Sequence, residues 1–274
     1  MRNSSSGALA LRAVCVLAVA LCPSPTSAQT LKIVTAEGTV AFTLEQLKAQ
    51  LSSHVVTVDD PTYLKQKKFD AFRLQDVLSI AGALQGSDRR VLLFRAADGY
   101  MPHLSTKYVS TEAYLAYGEN GSAGAFEPIE AAGNVMDPGP YYLVWSGTSS
   151  DALPWPYQLV EIEVVSDFAS RFADLEPRRP ASPTVLRGFQ LFESECMKCH
   201  SINNLGGRVG PELNIPKNVT EYFDDGDLRR YIHNPQSIRQ GAKMPAFAHL
   251  GDKGIRALVE YLKAMKQRKV LPAR

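Results

Sequence analysis

The five residues Cys196-Met197-Lys198-Cys199-His200 limit the fold of this chain more than any other stretch. Two thiols at this spacing, followed at once by a histidine, form the C-x-x-C-H motif at which a porphyrin is attached through two thioether bonds. The histidine is then held below the iron as its proximal ligand. The motif occurs once, so the sequence predicts one covalently bound haem c, with Cys196, Cys199 and His200 as cofactor-binding residues.

Two other interpretations of the cysteine pair remain open from the residues alone. The pair could be half of a zinc site, although no further Cys follows it to complete the four ligands. It could also be a thioredoxin-like redox pair, but that motif is expected in a βαβ context and the flanking residues have helical spacing. Both alternatives are therefore weaker than the haem interpretation.

The N-terminus has the features of a secretory signal over residues 1–28. Two arginines, Arg2 and Arg12, precede the short apolar run Ala13–Leu21, and Thr26-Ser27-Ala28 offers small residues for cleavage. Cleavage there would remove two of the four cysteines and leave only the pair in the motif. We therefore expect export to a periplasm and, with no later apolar stretch of sufficient length, no transmembrane segment in the mature chain.

Charge is distributed unevenly along a chain whose net charge is only +2. Residues 29–183 carry 13 basic and 19 acidic side chains, whereas residues 184–274 carry 15 basic and 9 acidic ones. The balance gives no indication of nucleic-acid binding. It suggests that the basic C-terminal part docks on an acidic partner or on its own acidic neighbour, and ordinary solvated charge is an equally good explanation.

Residues 29–166 are predicted to form a strand-rich α+β domain. A hairpin with a turn at Glu37-Gly38, a capped helix starting after Thr43 and a helix over 72–84 are expected there. Strands are predicted at 31–34, 39–42, 54–58, 91–96, 141–145 and 158–165, with a turn at Asp98-Gly99.

Three short stretches of this domain, 69–78, 95–100 and 139–144, resemble the molybdopterin-binding domain of the sulfite-oxidase family. That family binds molybdenum through a Cys thiolate, and no Cys lies in residues 29–166. The resemblance therefore implies the fold without the molybdenum. A metal site at Met101 and His103, or at His54, is a weaker possibility, and the aromatic stretch 154–157 is expected to pack on the core.

Residues 167–183 contain three prolines and are predicted to be a semi-rigid linker with a short helical turn over 167–175. Residues 184–274 resemble a class I cytochrome c, an all-α fold. Gly188 and Phe192 correspond to positions of the family's first helix, and Tyr261 to the aromatic on its last helix, here expected at 254–266. A middle helix is expected at 227–233.

The same resemblance implies the remaining haem contacts. The carbonyl of Pro211, in Gly210-Pro211-Glu212-Leu213, would accept a hydrogen bond from His200 and so act on the ligand indirectly. Met244, in Lys243-Met244-Pro245, would be the sixth, distal ligand, so that His200 and Met244 hold the iron. His249 and His233 are the alternatives to Met244.

These observations predict an electron carrier more readily than an enzyme. Iron held by His200 and Met244 has no open position, and the expected partner is a redox protein such as a dehydrogenase, a terminal oxidase or another cytochrome. The N-terminal domain would then dock the partner. The alternatives are a haem-containing oxidoreductase subunit with an N-terminal redox or substrate site, and a haem sensor with a labile sixth ligand.

Overall fold

The computed structural model describes residues 30–84, 90–109, 112–131, 134–147 and 153–271. The predicted signal segment, with Cys15 and Cys22, lies outside them. Within these ranges every helix is too short or too polar to span a bilayer. A strand-rich N-terminal region is followed by a helical C-terminal region, which confirms the predicted order of fold classes. The exact domain boundaries stay a prediction.

The N-terminal region is built from eleven described strands and three described α-helices. The strands are β1 Thr30–Thr35, β2 Gly38–Thr43, β3 His54–Asp60, β4 Lys65–Arg73, β5 Val91–Ala96, β6 His103–Ser105, β7 Ala113–Glu119, β8 Ile129–Ala131, β9 Asn134–Met136, β10 Tyr142–Trp145 and β11 Leu159–Val165. The helices are α1 Leu44–Gln50, α2 Leu74–Ile80 and α3 Phe168–Arg171.

Two sheets enclose the main core of this region. The first has the order β2-β1-β11-β5-β6 and the second the order β10-β7-β4-β3. All described pairings in them are antiparallel except that of β1 with β11. One apolar cluster joins side chains of both sheets with those of α1 and α2, so the sheets pack face to face.

Local signals placed the first elements correctly. Gly38 is the first residue of β2, directly after the hairpin turn, and its φ of +146° is a conformation that favours glycine. The side chain of Thr43 accepts a hydrogen bond from the backbone N–H of Gln46, and the Gln46 side chain accepts one from the backbone N–H of Thr43, so the predicted capping box is present.

The helix predicted over 72–84 is shorter in the structure, because Phe72 and Arg73 end strand β4. That strand was not predicted, since its first half is rich in lysine. Lys67 is nevertheless buried, and its ammonium group pairs with the carboxylates of Glu119 and Glu127. Tertiary ion pairing thus allows a charged sequence to form a central strand.

The C-terminal region contains α4 Pro183–Leu191, a π-helical turn Phe192–Cys196, α5 Asp225–His233 and α6 Gly251–Met265, with the small strands β12 Ser201–Ile202 and β13 Leu205–Gly206. Helix α4 begins with Pro183 at its first position and is capped by the Ser182 side chain. Helix α6 starts earlier than predicted, at Gly251. Its apolar face packs on α4, and α5 packs beside it.

Candidate haem-binding site

The two cysteines and the histidine of the motif lie on one tight turn that continues α4. The backbone N–H groups of Cys199 and His200 both donate to the carbonyl of Cys196, at 3.0 and 2.9 Å. This turn brings the thiols and the imidazole close together. Neither cysteine is in a disulfide.

The environment of the thiols argues against the other two interpretations of the motif. Burial raises the pKa of Cys196 to about 12 and raises that of Cys199 as well. A thioredoxin-like pair requires a thiol with a lowered pKa, which is the opposite. Among the residues that the structure describes, no group of three or more His, Cys, Asp or Glu side chains could hold a metal ion, so a zinc site has no support there.

The imidazole of His200 is fixed by one hydrogen bond. Its Nδ1 lies 2.8 Å from the carbonyl oxygen of Pro211, the contact that the family resemblance implied. Donation from Nδ1 leaves the lone pair of Nε2 available to a metal ion. Burial lowers the pKa of His200, so the ring is neutral at neutral pH, the form that binds a metal.

Gly210 provides the space that this imidazole occupies. A Cβ atom at Gly210 would lie 2.3 Å from Cε1 and 2.7 Å from Nε2 of His200, so only glycine fits there. The histidine is neutral, its ring occupies the space that Gly210 leaves open, and two free cysteines belong to the same turn. This set of donors fits a haem iron and its two thioether bonds.

Met244 lies in the loop before α6 and is half-buried. It borders the apolar core of the C-terminal region, as do Cys196, Leu205 and Leu213. These side chains supply the kind of apolar surface that a porphyrin buries. Of the two alternatives, His233 is exposed at the end of α5, and His249 is an exposed residue whose ring lies 5.9 Å from that of Phe247.

A carboxylate that the sequence analysis did not single out shapes the loop that carries Pro211. One oxygen of Glu212 accepts hydrogen bonds from the backbone N–H groups of Asn203, Asn214 and Ile215, and the other accepts one from Asn204. Glu212 therefore closes the loop around the Pro211 carbonyl. No spacing or periodicity in the sequence signals this role.

The weaker N-terminal candidates act in packing. Met101 is buried in the apolar core that continues into the C-terminal region, and the His103 ring stacks on Phe168 at 5.0 Å. His54 contacts Tyr114 edge-on. Trp155 and Tyr157 pack against Tyr142, which confirms the packing interpretation of residues 154–157.

Comparisons with known proteins concern the same part of the chain. The family model described as cytochrome c oxidase, cbb3-type, subunit III matches residues 183–262. Cytochrome c of Euglena viridis is 31% identical over 98 residues, which cover 95% of that protein and 29% of this chain. Cytochrome c oxidase subunit 2 of Alkalihalophilus pseudofirmus is 31% identical over 97 residues, which are 33% of this chain and only 28% of that protein.

Proposed function

Since the chain belongs to the cytochrome c family through its C-terminal region, we propose that it is an exported electron-transfer protein with one covalently bound haem c. Cys196 and Cys199 would form the thioether bonds, and His200 and Met244 would be the axial ligands. The observation that carries this proposal is the position of the His200 ring, which is hydrogen-bonded to the Pro211 carbonyl and occupies the space that Gly210 leaves open.

When bound, the haem would supply an iron that changes between Fe(III) and Fe(II). The role of the protein is then to keep the ligand geometry the same in both states. Pro211 holds the proximal imidazole in one orientation, and the turn at Cys196 restrains the backbone on both sides of it. A site closed by His200 and Met244 would leave no position for a substrate, which supports electron transfer over catalysis.

The proposed external partner is a redox protein with an acidic surface. Among the described ion pairs, Arg268 to Asp174 joins the C-terminal helices to the preceding segment, whereas the pairs of Lys198, Arg230, Lys263 and Lys269 are formed within the C-terminal region. The positive excess of residues 184–274 therefore has one described ion pair with the preceding part of the chain. That excess would steer an acidic partner electrostatically.

Two features of the proposal rest on the sequence. The signal-like residues 1–28 support a periplasmic location, where haem c attachment takes place. The sulfite-oxidase-like pattern of residues 29–166, which lacks the cysteine for molybdenum, supports a docking role for the N-terminal domain and not a second redox site. A terminal oxidase is a reasonable partner because the C-terminal region is similar to oxidase-associated cytochrome domains.

Replacement of Met244 tests the ligation. We expect Met244→Ala to retain covalent haem but to lose the weak red absorption band of ferric iron bound by methionine, and to gain carbon monoxide binding in the ferrous state. The reason is that removal of the thioether opens the distal position. Absorption spectroscopy of the purified proteins, with mass spectrometry to count covalently bound haem, measures both effects.

Met265→Leu is the matched control, because Met265 is fully buried at the end of α6 and its replacement should leave the spectrum unchanged. A Met244→Ala protein that kept the red band and still excluded carbon monoxide would exclude Met244 as the ligand. Absence of covalent haem from the unaltered protein, made in a host that matures c-type cytochromes, would refute the proposal as a whole.

A further inference from the structure

Residues 98–103, which comprise most of the loop between β5 and β6 and the first residue of β6, contact the segment that carries the two cysteines. The backbone N–H of Met101 donates to the carbonyl of Lys198 at 2.8 Å, and the N–H of Arg208 donates to the carbonyl of Gly99 at 2.9 Å. Lys198 lies between the two cysteines of the motif. We refer to residues 98–103 as the covering loop.

The covering loop joins a set of backbone hydrogen bonds that already surrounds the motif. Gly207 donates to the carbonyl of Met197, and Gly210 donates to that of Cys199, both at 2.8 Å. With the Met101 bond, each of the three successive carbonyls at 197–199 accepts a hydrogen bond. One of the three donors comes from the N-terminal region. A part of the chain that is distant in sequence therefore completes the hydrogen bonding of the backbone beside Cys199.

The covering loop brings buried and half-buried side chains to this contact. Met101 is 2% exposed and shares an apolar cluster with Met197 and Phe192. Burial raises the pKa of Tyr100 to about 12, and Cys199 is close enough to add to the effect. Burial also lowers the pKa of His103, and the charge of Lys198 acts in the same direction. The covering loop thus limits the access of water to Cys199, which is itself half-buried.

A second contact joins the C-terminal region to the segment that follows the N-terminal sheets. The hydroxyl of Tyr261 donates to the carbonyl of Leu175 at 2.7 Å, and the side-chain amide of Asn203 donates to that of Asp174 at 3.0 Å. Arg268 donates to the carbonyl of Ala173 at 2.8 Å. These bonds fix residues 173–175, which follow the N-terminal sheets, on the C-terminal region at a second place, separate from the covering loop.

We propose that the covering loop shields the edge of the haem that is attached to Cys199, and that this shielding raises the reduction potential of the iron. The inference rests on the proposed function, because it requires a thioether bond at Cys199. Such a bond would fix one edge of the porphyrin beside Cys199, next to Tyr100 and Met101. Exclusion of water from that edge disfavours the more highly charged Fe(III) state relative to Fe(II).

Gly99 offers a specific way to displace the loop. Its φ is +91°, and a Cβ atom there would lie 2.9 Å from the Cβ and 3.3 Å from the Cα of Arg208. Gly99→Ala should therefore push the covering loop away from the motif. Gly121→Ala is the matched control, because Gly121 has a similar φ of +82° but no atom within 4 Å of the added Cβ. Both variants carry the backbone strain of a positive φ, and only the first carries the clash.

The experiment is a redox titration of the full-length holoprotein. We expect a lower midpoint potential for Gly99→Ala than for the unaltered protein and for Gly121→Ala. Tyr100→Ala, which keeps the backbone hydrogen bonds but opens the space beside Cys199, should also lower the potential and provides the test if Gly99→Ala does not fold.

Potentials that stay unchanged in the loop variants, or that fall equally in Gly121→Ala, would overturn the inference. That result differs from failure of the proposed function. If the function is wrong, the unaltered protein has no covalent haem by mass spectrometry. If only the inference is wrong, the unaltered protein and all variants carry the haem, and Gly99→Ala and Tyr100→Ala have no lower potential than Gly121→Ala.

Discussion

Several polar residues are buried inside the protein and form hydrogen bonds with partners that their neighbours in the sequence do not reveal. Asn203, Asn214 and Asn218 form a buried ladder in which the amide of Asn214 donates to Asn203 and the amide of Asn218 donates to Asn214, both at 2.8 Å. Asn218 also donates to the carbonyl of Leu262 in α6. Because each buried amide has partners, the ladder ties the loop after the haem motif to the last helix without a large desolvation cost.

Asp60 is the exception to this pattern. It is 2% exposed, and one carboxylate oxygen accepts hydrogen bonds from the backbone of Thr62 and Tyr63 and from the hydroxyl of Tyr142. Its other oxygen, Oδ2, has no partner among the described residues. Burial is the largest effect on this group and raises its pKa above the usual value, although the hydrogen bonds and Lys67 oppose the shift.

The raised pKa of Asp60 predicts a pH-dependent stability. The folded protein binds a proton on Asp60 at a higher pH than the unfolded chain does, so the cost of its buried charge is present at neutral pH. That cost disappears as the pH falls through the folded-state pKa towards the unfolded value of about 3.9. The stability of Asp60→Asn relative to the unaltered protein should therefore decrease steadily from pH 7 to pH 4.

Thermal denaturation at several pH values measures this difference. Asp59→Asn, on the exposed side of the same strand, is the control for loss of one carboxylate. A relative stability of Asp60→Asn that is constant over the range, or that increases on acidification, would contradict the prediction.

Among the elements, the crossing of α4 and α6 is the contact that the sequence specified best. A Cβ atom at Gly188 would lie 2.0 Å from the carbonyl oxygen of Ala257 and 2.7 Å from the Cβ of Tyr261. The Tyr261 ring packs on Phe189 and Phe192, with centroids 5.6 and 5.5 Å away. The helices can approach this closely only because position 188 has no side chain.

Gly188→Ala should therefore destabilise the protein, although alanine is the better helix former. Since the atoms in the way are backbone and Cβ atoms that cannot rotate aside, we expect a loss of about 1–3 kcal/mol in the free energy of unfolding. Gly226→Ala in α5 is the control, because its nearest contact is the side chain of Asp224 at 3.3 Å. Chemical denaturation compares the two, and equal stabilities would exclude the close-packing explanation.

At the scale of the whole molecule, the N-terminal and C-terminal regions are packed together. The sequence predicted a proline-rich linker after residue 166. In the structure Phe172 and Leu175, within that segment, are buried in the same apolar cluster as the residues of α6. Leu93 and Met101 of the N-terminal region belong to this cluster too. The core of the C-terminal region is therefore completed by the N-terminal region.

A shared core predicts shared unfolding. Calorimetry of the full-length holoprotein should give one transition, since neither region can lose its structure without exposing apolar surface of the other. Tyr261→Phe, which removes only the hydrogen bond to Leu175, should lower the melting temperature more than Tyr222→Phe on the exposed surface. Two well-separated transitions in the unaltered protein would show that the regions are independent.

The sequence by itself determined the features that depend on residues close together along the chain. The C-x-x-C-H spacing, the capping box at Thr43, the hairpin turn at Gly38 and the apolar stripe of α6 are set by local geometry, which repeats from protein to protein. The match of residues 183–262 to a cytochrome family agrees with that local reading.

Only the tertiary structure decided that the covering loop lies on Lys198, that Lys67 is buried in a strand, and that Glu212 closes the loop of Pro211. These contacts join residues far apart in the chain, or use backbone carbonyls and N–H groups that every residue possesses. Neither kind of contact leaves a periodic pattern in the sequence, because the packing of the sheets and helices selects the partner of each group.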